Sequence, residues 1–170
     1  KKNGVFKVTP VSLSNTRMKN FEDRIFILYT GISRRASTVA EKKVKSFQKK
    51  EKILQEMFKF VEEGYNNLQK NEYNDFGRLL HENWQLKKSI SNVISNTRID
   101  EIYEYGLSKG ALGGKLLGAG SGGFLLFFCK NINERNKLAK RFNKNEVLFV
   151  SKSKSGSEII FGESNEFLQK

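Results

Sequence analysis

The segment Gly110-Ala-Leu-Gly-Gly-Lys-Leu-Leu-Gly-Ala-Gly-Ser-Gly-Gly-Phe-Leu-Leu-Phe-Phe-Cys129 decides how the rest of the chain is read. Six of the 14 glycines of the sequence fall between Gly113 and Gly123, so this run is the first place to look for function. Glycine lacks a Cβ and reaches φ > 0 freely at an entropic cost, so such a run marks backbone that bends sharply or approaches a ligand or another backbone. Two nucleotide-binding motifs fit it superficially. Gly118, Gly120 and Gly123 satisfy G-x-G-x-x-G, but that fingerprint needs a strand before the glycines and a helix after them. Here a helical pattern with Ile99, Ile102, Tyr103 and Leu107 precedes, and Phe124-Leu-Leu-Phe-Phe128 reads as a buried strand. Gly110 to Lys115 approaches a P-loop, but it is one residue short between the glycines, and Leu116 stands where the magnesium-binding hydroxyl belongs.

Outward from the run, the coarse pattern is α+β. Val5 to Ser12 and Arg24 to Thr30 read as strands, the second too apolar for an exposed edge, with Ser14 to Asn20 between them as polar loop. From an N-cap at Ser33, the residues Val44, Phe47, Leu54, Phe58, Val61, Tyr65 and Leu68 follow helical spacing to about Gln69. A second helix is expected from Asn74 or Asp75 to about Ser95, with an apolar stripe through Phe76, Leu79, Leu80, Asn83, Leu86 and Ile90. Rotation by ~100° per residue puts His81, Trp84, Gln85 and Lys88 on its other side, where a Trp implies a second layer, another domain or a ligand. A third helix opens at Thr97 and Asp100 in capping-box spacing and ends between Gly106 and Gly110. Asn133 to Phe142 reads as a short helix, and Val147 to Val150 and Glu158 to Phe161 as strands. Helices interposed between strand pairs suit a split, ferredoxin-like sheet of about four to five antiparallel strands with long helices packed on it, and no repeat or linker divides residues 1–170.

Composition narrows the function classes. A chain of 170 residues, 38% hydrophobic, is large enough for a real core. No apolar run approaches the ~20 residues that cross a bilayer, and no signal-peptide pattern opens the chain. One Cys and one His cannot make a disulfide within the chain or a Cys-based metal site, so Cys129 is read as core and no metal ligands are assigned. The 31 Lys and Arg against 18 Asp and Glu give +13, the balance of a nucleic-acid binder. Interleaving with Glu, as in Glu41-Lys-Lys-Val-Lys and Lys49-Lys-Glu-Lys, argues instead for solvated helix faces. A positive field also suits a protein that attracts anionic substrates.

Lys115-Leu-Leu-Gly-Ala-Gly-Ser-Gly-Gly-Phe-Leu-Leu-Phe resembles the C-terminal motif of the GHMP sugar kinases, the superfamily of galactokinase, homoserine kinase, mevalonate kinase and phosphomevalonate kinase. There the helix, glycine loop, strand order is the expected one. Leu28-Tyr-Thr-Gly-Ile-Ser-Arg34 and Leu79-Leu-His-Glu-Asn-Trp-Gln-Leu-Lys-Lys88 are similar to the branch of bacterial D-glycero-D-manno-heptose 7-phosphate kinases. The resemblance implies a cytoplasmic, two-lobed, ATP- and Mg²⁺-dependent enzyme of polysaccharide synthesis that phosphorylates the anomeric hydroxyl of a heptose phosphate. The main ATP phosphate loop and the catalytic residue would lie in an N-terminal lobe upstream of Lys1, which leaves these residues inactive by themselves and a truncated chain the expectation. It leaves open a homodimer through the face that lobe would cover.

On that reading Gly118, Ala119, Gly120, Ser121, Gly122 and Gly123, with Lys115, border the ATP phosphates, and Lys115 either touches phosphate or anchors the loop. Thr30, Gly31, Ser33, Arg34, Trp84, Lys87 and Lys88 become substrate-binding candidates. Arg34 beside a helix start is a phosphate ligand or a solvated arginine, and Thr30 and Ser33 bind substrate or cap the helix. His81 reads as a packed helix residue. The competing class is a stand-alone basic domain that binds an anionic partner such as nucleic acid; other GHMP acceptors, among them fucose, galactose and mevalonate, share the glycine loop.

Overall fold

The computed structural model describes residues 10–33 and 50–151. The expected strands over Val5 to Ser12 and Glu158 to Phe161, Arg34, and the helical positions Val44 and Phe47 lie wholly or mostly outside the described residues. In chain order the elements are α1 (Asn15–Glu22), β1 (Ile25–Tyr29), α2 (Glu51–Lys70), α3 (Tyr73–Ile90), α4 (Thr97–Ser108), β2 (Ala111–Leu116), β3 (Phe124–Cys129), α5 (Ile132–Ala139) and β4 (Val147–Phe149). The sheet has four strands in the order β2-β3-β1-β4, with every neighbouring pair antiparallel. That is the strand order of a split βαβ, ferredoxin-like sheet, with the α2, α3 and α4 run and then α5 as its crossovers.

Pleating divides the central strands between two clusters. Phe26, Leu28, Leu125, Phe127 and Cys129 pack with Trp84, Ile99, Tyr103 and Leu138, while Ile25 and Phe128 pack with Phe21, Tyr73 and Phe76. The register pairs Phe26 with Phe127 and Ile25 with Phe128, so each cluster takes alternate residues from both strands.

Three expectations change. Ser14 to Asn20 is not loop but the start of α1: the Ser14 hydroxyl accepts from Arg17 N–H, and the Arg17 guanidinium donates to the Leu68 and Gln69 carbonyls, both at 2.7 Å, at the end of α2. A cation against the negative end of another helix dipole is a tertiary contact with no local sequence signal. Ala111 to Leu116, taken in the sequence together with the loop glycines as one run, is strand β2, paired with β3 from Ala111 opposite Cys129 to Leu116 opposite Leu125. The cap of α4 is Asn96, whose side chain accepts from Ile99 N–H at 3.1 Å, one residue before Thr97.

Trp84 is the main correction. It is 0% exposed in the larger core cluster, so it lines neither cleft nor ligand site. The stripe through Phe76, Leu79, Leu80 and Asn83 faces a groove shared with α2, and the side carrying Gly77 and His81 presses on β2, where a Cβ on Gly113 would lie 2.1 Å from the Gly77 carbonyl oxygen. Helix α3 is therefore buried on two sides, and of the three explanations for a Trp there, the second layer is the correct one.

Candidate functional site

Backbone dihedrals show what the loop glycines are for. Gly118, Gly120 and Gly123 have φ of +69°, +111° and +91°, and Ser121 shares the left-handed region at +59°. A Cβ on Gly120 would lie 2.6 Å from the Ile94 carbonyl oxygen and one on Gly122 2.7 Å from that of Ile32, so these two also allow close backbone approach.

Three segments brace the loop. From the α3–α4 connection, Ile94 accepts from Ser121 N–H at 2.7 Å, Val93 accepts from the Ser121 hydroxyl, and Asn96 Nδ2 donates to the Ser121 carbonyl at 3.4 Å. From the end of β1, Ile32 accepts from Gly123 N–H at 2.9 Å, while Thr30 donates to the Gly123 carbonyl through its N–H at 2.9 Å and its hydroxyl at 2.8 Å. From α3, Lys87 Nζ donates to the Gly118 carbonyl at 3.1 Å and to that of Leu116 at 3.4 Å.

This accounting separates bound from open groups. Ser121 and Gly123 N–H groups are committed inward, whereas those of Gly118, Ala119, Gly120 and Gly122 have no acceptor among the described residues. Gly118 is exposed, Ala119 half-buried, and Gly120 and Gly122 are buried. The loop can therefore offer an anion the amides of its Gly118-Ala119 shoulder; Gly31 and Ser33, in the chain that leaves β1, are also exposed.

The other predicted site residues fall elsewhere. Thr30 is 7% exposed and its hydroxyl holds the loop, so it supports rather than faces the shoulder. Lys88 Nζ lies 3.1 Å from Asp100 Oδ1, which also accepts from the Ser95 hydroxyl at 2.9 Å, tying α3 to the start of α4. Lys115 stands in β2 opposite Leu126 and lines the apolar groove with Phe58, Val61 and Leu80, away from the loop shoulder. His81 is packed as read: its ring stacks on Tyr103 at 5.9 Å, and Nδ1 lies 2.9 Å from the Tyr103 oxygen. The Tyr103 hydroxyl also reaches the Gly114 carbonyl, which can only accept, at 3.3 Å; this assigns the Tyr proton to Gly114 and an Nδ1–H to His81. Sequence reasoning missed Ile32, Val93 and Ile94, which act through backbone carbonyls and leave no residue-type signal. Asn96 did leave one, as an N-cap residue before an apolar helix.

Residues 66–147 match the family described as GHMP kinases C terminal, a span from the end of α2 through the glycine loop to the start of β4. Those residues form a GHMP kinase C-terminal domain. The chain is 30% identical over 145 residues to a D-glycero-alpha-D-manno-heptose 7-phosphate kinase of Campylobacter jejuni, covering 82% of this chain and 41% of that protein. It is 28% identical over 142 residues to the bifunctional fucokinase/GDP-fucose pyrophosphorylase of Arabidopsis thaliana, covering 81% of this chain and 13% of that protein. Among solved structures, mevalonate kinase of L. major in complex with R-mevalonate shares the fold at a TM-score of 0.60 and 24% identity, covering 68% of this chain and 36% of the other. The chain thus spans well under half the length of the curated relatives it matches. In this GHMP kinase C-terminal domain the glycine loop lies between β2 and β3, with its Gly123 end hydrogen-bonded to the chain that leaves β1. No helix among the described residues is long and apolar enough to cross a membrane.

Proposed function

We propose that the chain is the C-terminal lobe of an ATP-dependent sugar-phosphate kinase whose acceptor is the anomeric hydroxyl of D-glycero-D-manno-heptose 7-phosphate. The observation that carries this reading is the braced glycine loop with its open Gly118 and Ala119 amides, set in a GHMP kinase C-terminal domain. Phosphoryl transfer depends on positioning and on stabilising the charge of the transferred group, and preorganised amides do both. The lobe upstream would supply the main phosphate loop and the group that handles the acceptor hydroxyl. No three His, Cys, Asp or Glu side chains of the described residues converge as a metal cage, so Mg²⁺ would be held mainly by the nucleotide phosphates with one or two oxygen ligands from the protein.

The heptose assignment draws on the Campylobacter jejuni relative, and fucose is the second acceptor, favoured by the Arabidopsis thaliana relative. Expression of the full-length protein and measurement of ATP consumption against heptose 7-phosphate, fucose, galactose and mevalonate decides between them. Turnover with heptose 7-phosphate at least about a hundredfold above the others in kcat/KM is expected, a margin that a site hydrogen-bonding its sugar can reach. ATP consumption with none of the four would end the proposal. Tight, salt-sensitive nucleic-acid binding by the 170-residue chain would then favour the basic-domain alternative.

A further inference from the structure

Lys87 stands one layer behind the loop shoulder. Its ammonium lies 5.7 Å from the centroid of the Trp84 ring, and Trp84 is fully buried, so the platform beside the cation is fixed by core packing. Neighbouring Lys88 shares that ring at 5.9 Å but is committed to Asp100, whereas Lys87 donates to the carbonyls of Leu116 and Gly118. A trans peptide points its C=O and N–H in opposite directions. Turning the Gly118 carbonyl toward Lys87 therefore turns the Ala119 N–H away from it. On the other peptide, Leu117 N–H donates to the Phe124 carbonyl at 2.8 Å, so the loop's open donors begin at Gly118 and Ala119.

The geometry points to Lys87 as a positioning residue that fixes the Gly118-Ala119 peptide so that the Ala119 amide meets an ATP phosphate oxygen. Lys87 does not itself touch the nucleotide. This inference rests on the kinase reading above and adds to it a residue whose role is distinct from the substrate cation its sequence position suggests. The peptide dipole and the ammonium behind it act in the same sense on an anion, and an amide already held needs no reorganisation when charge arrives.

The test uses the full-length protein with Lys87→Met and Lys87→Arg, steady-state kinetics for ATP and for the sugar phosphate, ADP affinity by calorimetry, and the melting midpoint without ligand. Lys87→Met is expected to raise KM for ATP and Kd for ADP at least about tenfold while KM for the sugar phosphate stays within about twofold. Lys87→Arg, which keeps donors for both carbonyls, is expected to recover most of the ADP affinity. Unchanged ADP affinity in Lys87→Met, equal losses for both substrates together with a lower unliganded midpoint, or no recovery by Arg would each overturn the role. Should Met at position 87 prevent folding, Lys87→Gln takes its place and the same ADP ratio decides. A wild-type protein that consumes no ATP overturns the kinase reading itself, a result separable from an active wild type with an indifferent Lys87→Met.

Discussion

Gly118 and Gly120 sit two residues apart with positive φ, yet a methyl group at each meets different surroundings. At Gly118 nothing lies within 4 Å of a built Cβ, and φ of +69° is the left-handed conformation that other residues enter at modest cost. At Gly120 the Cβ would lie 2.6 Å from the Ile94 carbonyl, and φ of +111° is outside that well. Gly118→Ala is expected to cost about 1 kcal/mol and Gly120→Ala about 3 kcal/mol or more, read by urea denaturation. Equal costs would mean that Ile94 does not close over the loop. Trp84 supplies a second contrast, because its Nε1 is buried with no hydrogen-bond partner among the described residues. Trp84→Ala should cost about 3–5 kcal/mol through the cavity it leaves, whereas Trp84→Phe, which also removes the unpaired donor, should cost under about 2 kcal/mol. A Trp84→Phe variant as unstable as Trp84→Ala would show that the indole nitrogen has a partner. The need for glycine in this loop was legible in the sequence; what each glycine meets was not, because Ile32 and Ile94 contribute carbonyl oxygens that every residue type carries.

At the scale of elements, the contact of α3 with β2 depends on absent side chains. A Cβ on Gly113 would lie 2.1 Å from the Gly77 carbonyl oxygen and 2.9 Å from His81 N, both backbone atoms of a helix that cannot yield singly. A Cβ on Gly77 would meet Leu112 Cβ and Phe128 Cδ1 at 2.9 Å; Leu112 Cβ moves only with its strand, but the Phe128 ring edge can shift and neither contact is as short as that at Gly113. Gly113→Ala should therefore destabilise by about 3 kcal/mol or more and Gly77→Ala by about 1–3 kcal/mol, with guanidinium midpoints as the measure. The reverse order would place the tightest approach at the helix rather than the strand. This pair explains why β2 escaped the sequence reading: Ala111-Leu-Gly-Gly-Lys-Leu116 has poor strand propensity, and its glycines join the loop glycines in one run. The run in fact divides, Gly113 and Gly114 serving strand packing and Gly118 to Gly123 serving the loop. Strands β1 and β3 were legible because their apolar runs are too short for a helix and rich in β-branched or aromatic residues, and α3 was legible as a helix but not as to its faces. Two apolar surfaces on one helix defeat a single-stripe reading, which sent Trp84 outward.

For the whole molecule, the larger core cluster holds two groups that must stay neutral, which makes stability depend on alkaline pH. Burial pushes the Cys129 thiol up from 9.0 to about 12, with Glu134 adding to the rise and Arg135 opposing it. Tyr103 is raised above its ordinary 10.0 first by burial and then by the nearby Glu104 carboxylate. The native state keeps both protons where the unfolded chain has lost them, so the native state binds more protons and stability falls as pH rises. Below about pH 9 both states carry both protons and neither group contributes a slope. Between pH 9.0 and about 12 the Cys129 contribution declines by up to about 1.4 kcal/mol per pH unit, and Tyr103 joins above pH 10.0. Other groups titrate in this range, so the Cys129 share is isolated by subtracting the Cys129→Ala profile from that of wild type. The difference in urea midpoint should be flat from pH 7 to 8.5 and shrink in favour of Cys129→Ala above pH 9, in step with thiol reactivity that appears only on unfolding. A difference that stays flat to pH 11, or a thiol that reacts in the folded protein at pH 8, would place Cys129 outside the cluster it shares with Phe127 and Leu138.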